Sequence, residues 1–291
     1  MSKRENSAHT KKRFDIGYGK ILLGVFAGMV FVFLVIPSFL AVPMSVTETR
    51  FLVFPPQGFT FHWFDRFSTD ELWRAPALFS LKLAILTTLV SLILGFMTSL
   101  ALVRGSLPGR KILNVFLISP IMVPVIIIAF AVYGVYAKLH LIGSTLGLVV
   151  AHSILCTPFV ILVISANLYR FDISMEMAAR NLGATPLKTF LFITIPIIKP
   201  GIIAAAVFCF ITSLDELVIA MFLIGTRRTT LPIKIFSQLQ FRIDPVVAAA
   251  STIFIAAAFV IVISLLFMAR GTKKTVIKEP ENASFTHGEL S

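Results

Sequence analysis

EMAARNLGATPLKTFLFITIPIIKPG, Glu176 to Gly201, is a polar, helix-signalling segment set between long apolar runs. Ser174 can cap a short helix over Met175–Leu182. Gly183 suits the left-handed residue that ends such a helix. Thr185 can cap a second helix, with Pro186 at its first position. Leu187–Ile198 continues apolar, and Pro196 with Pro200-Gly201 is expected to break the way into the next apolar run. Ala178 and Ala179 are small, so one face of the first helix can approach another surface closely. These signals alone fit either an interfacial connector or a docking element gripped from the aqueous phase.

The flanking sequence fixes the setting. The 291 residues are 57% hydrophobic and 14% charged, against roughly 25% charged in a soluble domain. A membrane helix needs about 20 mostly apolar residues. Six stretches meet this: Ile21–Val46, Leu78–Val103, Ile112–Tyr136, Leu146–Leu168, Gly201–Ile224 and Val246–Met268. The expected fold is an all-α membrane protein with six transmembrane helices over residues 21–269 and polar tails at 1–20 and 270–291. The first apolar run exceeds a signal-peptide core of about 7–15 residues, so it reads as an uncleaved helix. Asp244 and Pro245 mark the start of the last span. The first external loop, Thr47–Pro76, holds Trp63 and Trp73 and is expected at the headgroup level.

Lys and Arg set the orientation. With the N-terminus inside, cytoplasmic segments carry 17 of them and external loops 8. This predicts N-in/C-in and puts residues 170–200 in the cytoplasm. The net charge of +12 is then mostly a topology signal, not a nucleic-acid footprint. The two cysteines, Cys156 and Cys209, lie in apolar runs and read as packing residues.

At this point the cytoplasmic segment resembles a known pattern. Met177, Ala178, Ala179, then Gly183, then Ile193, Ile195 and Pro196 follow the spacing of the EAA loop in membrane subunits of bacterial ATP-binding-cassette importers. Met177 stands where the family has Glu, and Ile195 where it has Leu. Glu176 lies one residue before the family position, about 100° around the helix. The resemblance covers nearly the whole chain and implies the type I importer transmembrane domain. It implies a coupling loop of Glu176, Met177, Ala178, Ala179, Leu182, Gly183 and Pro196 that docks on a cytoplasmic ATPase dimer. It also implies a second permease subunit, a heterodimer being expected, and an external solute-binding protein. This chain has no Walker A phosphate loop, since GSLPGRK at Gly105–Lys111 has the wrong spacing. ATP and Mg would be bound by the partner, and no cofactor, catalytic residue or metal site is expected here.

Gln57-Gly58-Phe59-Thr60 with Trp63, Ser213-Leu214-Asp215-Glu216, and Leu231–Ser237 are similar to the spermidine/putrescine branch. Relatives of that branch are associated with opines, aminophosphonates, γ-aminobutyrate-like compounds and ferric iron.

Asp215 and Glu216 are the acids within an expected span. A carboxylate at mid-bilayer costs roughly 2.5 kcal/mol or more. Either they line the substrate pathway and attract a cation, Asp215 first, or they are structural, paired with a partner or protonated. His152 is expected to make an interhelical hydrogen bond, and Lys82 to snorkel to the interface. Pro120, Pro124 and Pro158 are expected to kink their spans. Two other classes compete. A stand-alone ion-coupled transporter could use Asp215-Glu216 but would have no use for a docking loop. A membrane-embedded enzyme would need a catalytic constellation, and none is visible.

Overall fold

The computed structural model describes residues 18–241 and 244–273; most of both expected polar tails lies outside them. All regular structure among the described residues is helical. Helix α1 is Tyr18–Met44 and α2 is His62–Thr69. Helix α3, Glu71–Arg104, starts seven residues before the expected span because the Asp70 side chain accepts the Leu72 amide. Helix α4 is Arg110–Ile118 and α5 is Val125–Leu139. Helix α6 is Thr145–Arg170, capped by Ser144 on the Gly147 amide. Helices α7 (Ser174–Asn181) and α8 (Pro186–Thr189) form the short segment between the longer helices. Then come α9 (Ile195–Asp215), α10 (Val218–Leu223), α11 (Leu231–Phe241) and α12 (Val246–Lys273).

Among the described residues, four helices are long and apolar enough to cross a bilayer: Gly19–Met44, Glu71–Arg104, Thr145–Arg170 and Pro186–Asp215. The third expected span is broken, not kinked. Pro120 sits in a 3-10 turn, Ser119–Met122, and the helices either side meet at 102°. Pro124 then leads α5, where its missing amide is no loss. The pair makes a fifth span if counted as one. The sixth expected span falls in α12, whose first half, Val246–Ala257, is apolar. The Asp244 carboxylate accepts the Val246 amide at 3.0 Å, as its place before Pro245 predicts.

Helices α3, α6 and α9 pack on one another and form the centre. Their contact faces carry small residues: Ala84, Thr87, Ser91, Gly95 and Ser99 on α3, with Cys156 and Val160 opposite on α6. A second core joins α5 and α10 to this centre through Ala129, Tyr136, Ile219 and Leu223. Helix α1 packs on α12, with Phe39 edge-on to Phe259, and otherwise exposes apolar side chains such as Leu22 and Phe33.

Both tryptophans of the first expected external loop turn into the protein. Trp63 and Trp73 are buried in a third core with Leu231, Val246 and Val247. The Trp63 indole N–H donates to the Thr47 carbonyl at 2.6 Å.

Candidate coupling site

Helix α7 is short and held at both ends. The cap is not Ser174 but Asp172, whose carboxylate accepts the Ser174 amide at 2.9 Å. Hydrogen bonding from the Ser174 side chain, and then from its amide, holds the Asp172 carboxyl below its ordinary value. Ser174 itself begins the helix. At the far end, Ala184 N–H bonds the Ala179 carbonyl and Gly183 N–H the Arg180 carbonyl, the paired pattern that closes a helix through a left-handed residue. Gly183 takes φ +87°, which its lack of a Cβ permits. Thr185 caps α8 on the Lys188 amide, with Pro186 following, as the sequence predicts.

Beyond α8 the structure departs from expectation. Pro196 and Pro200 do not break the chain; it is helical from Pro186 to Asp215. Phe190–Thr194 forms a π turn, and the Ile195 amide reaches back to the Phe190 carbonyl. The wider turn relieves the clash that a proline ring makes with the preceding turn. Pro196 then falls in the first turn of α9, where no amide is missed.

The structure separates the seven candidate coupling residues. Ala178, Ala179, Leu182 and Pro196 line one apolar groove of about 550 Å³, together with Met175 and Ile193. Leu182 is 89% exposed and Met177 55%. Gly183 makes the turn. Glu176 faces the other way and is buried. Its carboxylate pairs with Arg104 at 2.8 Å and accepts a hydrogen bond from the Thr194 hydroxyl. Arg104 and Thr194 carry no sequence signal for this: Arg104 reads only as a topology charge, 72 positions before its partner.

The membrane acids also part company. Helix α9 ends at Asp215, and the expected fifth span does not run on to Ile224. Glu216 turns extended and accepts the amides of Ile219 and Ala220, at 3.0 and 3.1 Å, starting α10. Its side chain lies 3.8 Å from the His152 Nε2. His152 Nδ1 and the Ser213 hydroxyl are 3.0 Å apart, so the expected interhelical bond is present between α6 and α9. Asp215 is exposed, on the same α9 face as Ala204, Phe208 and Ile211. That face turns away from the side packed on α3 and α6, where Ala205, Cys209 and Ser213 are buried. Lys82 is exposed, in keeping with a snorkelling role.

Comparison with known proteins follows this geometry. Residues 91–273 match the family described as binding-protein-dependent transport system inner membrane component. The chain is 33% identical over 254 residues to the putrescine transport system permease protein PotI of Escherichia coli, covering 84% of this chain and 90% of that one. It is 29% identical over 256 residues to the spermidine/putrescine transport system permease protein PotC of the same organism, covering 88% and 97%. It is 32% identical over 161 residues to the molybdenum transport system permease protein ModB, covering 51% of this chain and 70% of that one. Among solved structures, a bacterial ABC transporter that imports the acidic polysaccharide alginate shares the fold. The TM-score is 0.63 at 18% identity, covering 86% of this chain and 95% of that one.

Proposed function

The chain belongs to the family of binding-protein-dependent transport system inner membrane components, and on that premise we propose that its importer carries a polyamine such as putrescine or spermidine. The protein is a multi-pass inner-membrane permease subunit of an ATP-binding-cassette importer. The observation that carries the substrate is the similarity to two polyamine permeases over more than four fifths of the chain. The Asp215 carboxylate, on an α9 face that this chain leaves uncovered, supports it: an acid beside the pathway favours an organic cation.

In this reading the permease has six spans and both termini in the cytoplasm. It pairs with a second permease subunit, and a solute-binding protein delivers the polyamine from outside. A cytoplasmic ATPase dimer binds ATP and Mg and grips α7. Met177, Ala178, Ala179, Leu182 and Gly183 form the grip, and Pro196 walls the groove behind it. Asp215 lines the pathway. Glu216, held by the α10 amides, fixes the break in the helix beside it.

Vesicles holding the complete importer should take up labelled putrescine only with ATP, and spermidine should compete. Asp215→Asn should lower uptake without loss of assembly. Uptake of an aminophosphonate or ferric iron, with putrescine excluded, would sink the substrate. For the grip, Ala178→Trp and Leu182→Asp should each strip the ATPase from the purified permease. An ATPase that stays bound to both variants would remove the docking role from α7.

A further inference from the structure

Three helix ends and α7 meet around the Arg104–Glu176 pair. Arg104 is the last residue of α3. Its guanidinium stands 5.4 Å from the ring centroid of Phe171, the residue that ends α6. On its other side it reaches the Glu176 carboxylate at 2.8 Å. The same Glu176 oxygen takes the hydrogen bond from Thr194, the last residue of the π turn that leads into α9. The Glu176 side chain is 11% exposed and that of Arg104 28%. An acid that gripped an ATPase would stand on the open face of α7 with Met177 and Leu182. Glu176 stands on the opposite face.

We propose that Arg104, Glu176 and Thr194 form a transmission latch: positioning residues that carry a displacement of α7 into α3 and α9. The proposal rests on α7 being the element the ATPase moves. Charge-assisted hydrogen bonds are short and directional. Separating the pair would leave the buried Glu176 carboxylate without its cation. The contact therefore holds as α7 shifts, whereas apolar side chains could slide past one another. Glu176 ties α7 to two central helices at once, and Phe171 steadies the guanidinium from the end of the third.

The test uses the complete complex in phosphatidylethanolamine/phosphatidylglycerol vesicles. Two quantities are read: ATPase retained on purification, and the ratio of ATP hydrolysis with and without the binding protein. Glu176→Gln and Arg104→Gln should retain the ATPase at the wild-type level. Their stimulation ratio should fall about fivefold or more, within the usual range of coupling between sites. The charge-exchanged pair Arg104→Glu/Glu176→Arg should recover part of the ratio. Thr194→Val, which keeps both charges, should show a smaller loss. Loss of the ATPase from Glu176→Gln would place this acid on the docking surface and overturn the latch. A full ratio in that variant would do the same. If the single charge variants fail to assemble, the other two decide. An unchanged ratio in Thr194→Val, or an exchanged pair that assembles no better than the single variants, overturns the latch. Failure of α7 as the docking element shows separately, as ATPase retained on Ala178→Trp and Leu182→Asp.

Discussion

Gly95 shows how little room the centre leaves. A Cβ built there would lie 2.6 Å from Val160 Cγ1 and 2.7 Å from Val160 Cβ. The hydrogen is what lets α3 and α6 close, and the Ser99 hydroxyl bonds the Gly95 carbonyl and approaches that of Ile161 across the same seam. Small residues that let helix backbones approach are a general device of membrane packing. Gly95→Ala should cost about 1–3 kcal/mol, the usual range for overpacking, read as a lower thermal midpoint of the purified complex. An unchanged midpoint would mean the seam can widen freely. Met177 presents the opposite case. It is 55% exposed, and its neighbour Glu176 is already engaged inward, so a carboxylate at 177 would stand in the open on α7. Met177→Glu should leave permease stability unchanged and retain the ATPase. A permease that keeps its stability and loses the ATPase would show a partner surface shaped for an apolar knob.

At the scale of elements, local chemistry decides what was legible. The caps at Thr185 and Asp244, the left-handed Gly183 and the α6 boundaries follow from side chains acting within a few residues. The sequence says less where a distant partner or a neighbouring turn intervenes. Pro196 and Pro200 read as helix breakers, but a π turn stands directly before Pro196 and the helix runs on through Pro200. Glu216 reads as a mid-span acid, but it ends one helix and starts the next. Glu176 reads as a coupling-loop residue about 100° from the expected contact, and its carboxylate turns inward to Arg104, a meeting that sequence order does not signal. Helix α7 offers an element-scale test, because its start depends on Asp172. The folded carboxyl titrates lower than the unfolded one. Its contribution is therefore present above the ordinary carboxylate range and is lost as pH falls through the depressed folded value. Asp172→Ala should speed amide hydrogen exchange across Ser174–Asn181 at neutral pH. The difference from wild type should vanish in acid below that folded value. A difference that persisted there would mean that Asp172 acts through something other than its charge.

For the whole molecule, the family relationship accounts for the packed centre and leaves orientation as the quantity to measure. The charge asymmetry predicts that Leu182 faces the cytoplasm and Thr226 the outside. Both positions are exposed in the chain. The native thiols do not interfere: Cys156 and Cys209 are 1% and 0% exposed, the first packed against the backbone of the second. Single substitutions in the otherwise native sequence therefore report cleanly. Leu182→Cys should react with a membrane-impermeant maleimide in inside-out vesicles and stay unlabelled in right-side-out vesicles. Thr226→Cys should show the reverse. Arg227 and Arg228 follow this site, so Thr226 tests the charge rule at the most basic of the loops expected outside. Labelling of both positions from the same side would mean that the helix from Pro186 to Asp215 does not supply a single crossing between them. An odd number of crossings must separate the two sites if they lie on opposite sides, and the continuous helix from Pro186 to Asp215 supplies one. Opposite-side labelling with the sides exchanged would keep that crossing and turn the permease over, placing α7 where no cytoplasmic ATPase could reach it.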